Sequence, residues 1–113
     1  MLYFEKLLVW QKSLDFAAEC VRIANNLPRK YQYSFADQLI RASLSIPSNI
    51  AEGSGRGTKR DQANFYAIAK GSLYETVNIL KLLEKVGDLN LDSTKGLYFE
   101  AEEIAKMLHG LIR

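Results

Sequence analysis

Apolar residues recur along this chain at alternating spacings of three and four, the period of a helix that buries one face. From Leu7 to Leu27 the series Leu7, Trp10, Leu14, Ala17, Val21 and Ala24 predicts a first amphipathic helix. A second stripe, Phe16, Cys20, Ile23 and Leu27, widens its apolar arc enough to meet two neighbours. Pro28 ends the helix, because the residue before a proline is pushed out of the helical region. A second helix opens at Ser34, where Asp37 three residues on makes a near capping box. Phe35, Leu39, Ala42, Ile46 and Ile50 form its seam, with Ile40, Leu44 and Ala51 alongside. Pro47 falls inside that pattern and removes one helix bond, at a cost of about 3 kcal/mol in a regular helix. A kink is expected there; a break, with Ser45 capping a restarted turn, is the alternative.

Three glycines in Gly53 to Gly57 read as a linker, after which Thr58 and Asp61 cap a third helix running to about Val86. Its seam is Phe65, Ala69, Ser72, Thr76, Leu80 and Leu83, and Gly87 stops it. The last helix starts near Asp92 or Ser93 and repeats Leu97, Ala101, Ile104, Leu108 and Leu111, with Glu100, Glu103 and Lys106 on its solvated side. Short connections force consecutive helices to run antiparallel. The pattern therefore predicts an all-α fold, an up-down-up-down four-helix bundle kinked at Pro47.

At 113 residues the chain suits one domain, 1–113, with a single core. No apolar run approaches a membrane span of roughly 20 residues, and the opening Met-Leu-Tyr-Phe-Glu-Lys lacks a basic leader, so a cytoplasmic protein without a membrane partner is expected. The one cysteine, Cys20, lies mid-pattern and reads as a small core hydrophobe. Net charge is only +2, but it is unevenly spread: residues 41–70 carry five bases and two acids, residues 71–113 five bases and seven acids.

That middle excess directs attention to Arg56, Lys59 and Arg60, beside the glycine turn and at the amide-rich start of the third helix, as candidate nucleic-acid contacts. A phosphate-binding loop is a poor reading, since a helix precedes the turn and Gly57-Thr58-Lys59 has the wrong order. Gln38, Arg41, Ser45, Ser48, Asn49 and Glu52 form a polar stripe on the second helix. Folding about Gly55 brings Gln38 near Ser72 and Arg41 within about a turn of Glu75. These residues read as a structural network in which half-buried polar groups satisfy one another. The only histidine, His109, sits far along in the last helix, so no catalytic residues, metal ligands, cofactor or small-molecule substrate are expected. Gly71, among Ala67, Ala69 and Ser72, suggests a close approach by another helix, of this chain or of a second copy.

The run from Gln38 through Arg41-Ala42-Ser43-Leu44-Ser45-Ile46-Pro47-Ser48-Asn49-Ile50-Ala51-Glu52-Gly53 resembles a bacterial four-helix-bundle family first noted as proteins encoded by intervening sequences in large-subunit ribosomal RNA genes. Leu8-Val9-Trp10-Gln11-Lys12, Arg56, Phe65 and Ile68-Ala69-Lys70-Gly71-Ser72-Leu73-Tyr74-Glu75 extend the resemblance over nearly the whole chain. It implies a bundle assembled into a homopentameric, barrel-like ring, with no known reaction. A similar protein, the accessory factor of diversity-generating retroelements, forms such a ring and engages nucleic acid and a reverse transcriptase. The reading as a whole is a non-enzymatic, homo-oligomeric interaction protein, with a nucleic-acid-binding adaptor for RNA or DNA as the alternative.

Overall fold

Each stretch of three-four periodicity forms a helix in the computed structural model, which describes the backbone of residues 1–113 and every side chain except those of Leu91 and Ser93. The helices are α1 (Leu8–Asn25), α2 (Phe35–Ser54), α3 (Lys59–Lys85) and α4 (Leu91–Ile112), with 3-10 turns at Tyr3–Lys6 and Arg29–Tyr31. No strand occurs among the described residues. α3 is the longest, and the molecule is a rod of 43 × 24 × 24 Å.

The helix ends show which local signals act. Thr58 caps α3, its hydroxyl accepting from the Asp61 N–H at 3.1 Å. At the other end Gly87 has φ of 87°, and the N–H groups of Gly87 and Asp88 donate to the Glu84 and Leu83 carbonyls, the paired bonds of a left-handed helix stop. Asn90 caps α4 by accepting from Asp92 N–H at 2.9 Å, in the place expected of Asp92 or Ser93; the Ser93 side chain lies outside the described residues. The capping box at Ser34 does not form. Its hydroxyl donates backwards to the Tyr31 carbonyl at 3.4 Å, because the 3-10 turn just before it presents that acceptor.

Two further expectations need correction. Gly53 is no linker residue: α2 continues through Ser54, and Gly53 is buried where α2 meets α3. Nor does α2 break at Pro47, which is buried inside a continuous helix, while the Ser45 hydroxyl bonds to Ser72 and Asn49 and caps no restarted turn.

Around the bundle, α2 packs on α1 and α3, and α4 packs on α3 and α1; among the described residues the backbones on the diagonals do not approach. In the α2–α3 layer Ser45 meets Ser72 and Gly53 faces Phe65; in the α3–α4 layer Lys70 meets His109 and Lys81 lies on Tyr98. In these two pairs of contacts, numbers rise on one helix as they fall on the other. One core cluster draws on all four helices, with Leu39, Ile46, Ile50, Leu73, Leu83, Ile104 and Leu108 fully buried. Truncating any of these large side chains to alanine costs about 2–5 kcal/mol.

Three predicted core leucines, Leu14, Leu44 and Leu111, are exposed. On α1 the buried face is Val9, Ser13, Phe16, Ala17, Cys20 and Ala24, so the core draws on both apolar stripes and Leu14 falls outside it. The acids of α4 are also less free than expected. Lys12 of α1 donates to Glu103 at 3.1 Å and lies 3.8 Å from Glu100, stitching the α1–α4 seam.

Candidate functional site

The turn between α2 and α3 exposes Arg56, Lys59 and Arg60 together at one end of the bundle. Thr58 ends the turn and sets the first amides of α3 toward solvent, where the helix carries partial positive charge. The structure then divides the three bases. The Arg56 guanidinium stacks over the Phe65 ring, 5.0 Å from its centroid, and the Arg56 carbonyl accepts from the Gln62 side chain at 3.0 Å. Lys59 and Arg60 instead line a groove between the start of α3, the N-terminal turn and the end of α4.

Arg113 and Tyr3 share that groove, with Leu7, Tyr66 and Ile112 among its apolar lining. No acidic residue lines it. Tyr66 is buried, and its phenol pKa is pushed up by that burial and by the neighbouring Tyr3 hydroxyl. Sequence periodicity gave no sign of Arg113 or Tyr3 here, since both lie at the edges of the helical pattern. Only the topology, which returns the end of α4 to the start of α3, joins them to Lys59 and Arg60.

The polar stripe between α2 and α3 is part network and part open groove. Asn49 donates to the Ser45 carbonyl at 2.8 Å and to its hydroxyl at 2.9 Å, and the Ser45 and Ser72 hydroxyls share a hydrogen bond at 2.8 Å. Thr76 donates to the Ser72 carbonyl at 2.7 Å, extending the chain into the core. Ser45, Asn49 and Ser72 are thus half-buried and bonded, as a structural network requires. Gln38, Arg41, Glu52 and Glu75 are exposed and do not belong to it. Arg41 pairs with Asp37 one turn back at 3.6 Å, not with Glu75, although Gln38, Arg41 and Glu75 line one groove with Ser45 and Ser72. At the surface water solvates both charges, so the local pair on one helix suffices.

Ser45 Oγ is engaged by a hydroxyl and an amide, an arrangement with no base to activate it. Cys20 is fully buried, and desolvation, with Glu19 adding to it, raises its thiol pKa to about 12. Such a thiol stays protonated and unreactive. His109 is exposed, its Nδ1 3.5 Å from Lys70 Nζ, and among the described residues no three His, Cys, Asp or Glu side chains cluster as metal ligands.

Residues 5–110 match the family described as 23S rRNA-intervening sequence protein. The chain belongs to that family. Its four helices agree with a solved family structure, a protein of unknown function from the S23 ribosomal protein family of Bacteroides thetaiotaomicron VPI-5482. The two superpose with a TM-score of 0.86 at 26% identity, over 94% of this chain and 99% of that one. Comparison with curated proteins finds no match. The match to the intervening-sequence family spans the run Arg41–Gly53, and the solved relative shares the four-helix fold. No helix is long and apolar enough to cross a membrane among the described residues.

Proposed function

We propose that this intervening-sequence family member is a non-enzymatic interaction protein that assembles with copies of itself through the outer face of α3. One observation carries the reading. Ile68, Gly71, Glu75, Asn78 and Leu82 recur at helical spacing on the exposed side of α3, and a Cβ added to Gly71 would meet nothing within 4 Å. Among the described residues no other helix of the chain contacts a Cβ at Gly71, which supports the alternative of a second copy. A glycine in mid-helix costs about 1 kcal/mol relative to alanine, a cost that close packing by a partner would offset. Ile68, 52% exposed, together with Tyr74 and Leu82, supplies apolar surface for such a contact. The family resemblance makes a pentamer the expected assembly, and the family's tie to ribosomal RNA genes supports a cytoplasmic setting. Sedimentation of a dilute sample tests the reading: a multimer is expected, and a compact monomer would overturn it.

A second reading, a nucleic-acid-binding adaptor, is favoured by the acid-free groove holding Lys59, Arg60 and Arg113. Repeated around an assembly, three cations per copy would add contacts along one strand. Labelled RNA and DNA titrated at low salt decide it, absence of binding there rejecting the reading.

A further inference from the structure

We propose that the groove formed by Tyr3, Lys59, Arg60 and Arg113 binds single-stranded nucleic acid in preference to duplex, with Tyr3 as a stacking platform. The inference rests on the nucleic-acid reading just given and names its ligand class. Affinity for phosphates needs only cations, and a duplex or any polyanion would satisfy that requirement equally. What separates single strands is a need for aromatic surface beside the cations, because unpaired bases expose their faces while duplex bases hide theirs in the stack.

The groove supplies both within one lining. Lys59 and Arg60 leave the first turn of α3, and Arg113 comes from beyond the end of α4, so cations converge from two elements with no lining acid to compete for them. Tyr3 stands at the rim with 66% of its surface open. Tyr66, which is buried, lines the same groove as Tyr3. The buried ring belongs to the scaffold and the open ring to the ligand. Tyr3 takes part in no aromatic pair among the described residues, whereas Phe4 of the same turn packs edge-on against Trp10 at 4.9 Å. Arg56, the base nearest in sequence, is turned away onto Phe65 and falls outside the site.

The test titrates the full chain with a fluorescent poly-dT 12-mer, a duplex of the same length and polyglutamate, at low salt. The single strand is expected to bind tightest, with log affinity falling against log salt at a slope of about −2 for three neutralised phosphates. Tyr3→Ala should weaken the single strand about tenfold and leave duplex binding unchanged, and Tyr3→Phe should restore it, since stacking needs the ring alone. Arg60→Glu should weaken single strand and duplex alike. Equal affinity for single strand and duplex, with Tyr3→Ala silent, would overturn the proposal while leaving nucleic-acid binding in place. Polyglutamate binding as tightly as poly-dT would reduce the groove to a general polyanion or acidic-peptide site and overturn both. So would no binding of any probe at low salt. Because Tyr3 is exposed and outside the core cluster, its variants fold, and an unchanged helical circular-dichroism spectrum verifies this.

Discussion

Gly53 on α2 and Phe65 on α3 approach so closely that a Cβ built on Gly53 would lie 2.7 Å from the Phe65 Cβ. The Tyr66 ring would be 3.2 Å away, so neither side of the contact has room. Gly53→Ala gains about 1 kcal/mol of helix propensity but forces the α2–α3 layer apart, at roughly 1–3 kcal/mol for an overpacked core. Chemical denaturation should show a net loss of about 1 kcal/mol. A variant more stable than the parent would show that the layer yields freely.

Pro47→Ala should leave stability unchanged or raise it by about 1 kcal/mol. The substitution restores a helix bond to the Ser43 carbonyl and removes a clash worth about 3 kcal/mol. Against this, Pro47 is buried, and losing its ring removes about two methylenes of burial, roughly 0.8 kcal/mol each, as well as the stiffness that proline gives the unfolded chain. A urea midpoint well below the parent's would mean that the proline itself shapes the packing of α2.

How far the sequence reveals the molecule differs by feature. Helix number, the Thr58 cap and the Gly87 stop were legible because each depends on residues within one turn of one another. Leu14 and Leu44 were misplaced because periodicity finds apolar stripes without saying which stripe meets a neighbour. Gly53 looked like a linker because glycine serves both turns and close contacts, and only the position of Phe65 across the layer distinguishes them. The basic site was half legible: Lys59 and Arg60 stand out in the chain, whereas Arg113 and Tyr3 join them only through the return of α4. The Ser45–Ser72 bond could be anticipated from pairing two helices about a turn, but the separation of Arg41 from Glu75 could not, since exposed charges follow local partners.

Burial of Cys20 predicts a loss of stability at alkaline pH. Its thiol pKa is raised to about 12 in the fold, while in the unfolded chain it ionises near 8.5. A pKa raised on folding gives stability that is fully present below the unfolded value and is lost as pH rises toward the folded one. At pH 10 the loss is about 2 kcal/mol relative to pH 7. Lys12, raised by its hydrogen bond to Glu103 and that carboxylate's charge, and Tyr66, raised by burial, act in the same direction. Cys20→Ala should start about 1 kcal/mol lower through lost packing, yet fall less between pH 7 and pH 10. Urea midpoints measured in parallel at the two pH values check this, and identical slopes for parent and variant would refute it.

The outer face of α3 makes a prediction in which folding and assembly change in opposite directions. Gly71 is exposed in mid-helix, so Gly71→Ala should stabilise the isolated helix bundle by about 0.5–1 kcal/mol, through helix propensity alone. If a second copy packs closely over Gly71, the same methyl group intrudes between the two backbones and the assembly weakens. Gly71→Arg goes further, placing a long charged side chain on the contact while meeting nothing within its own chain. It should shift sedimentation toward monomer at concentrations where the parent remains assembled, with helical content unchanged. Assembly surviving Gly71→Arg would move the interface to another face, such as the α1–α4 groove where Leu8 and Phe99 are exposed. Because monomer stability and assembly are read separately, a misfolded variant cannot imitate the expected result: it would lose both, whereas the α3 interface predicts that one rises as the other falls.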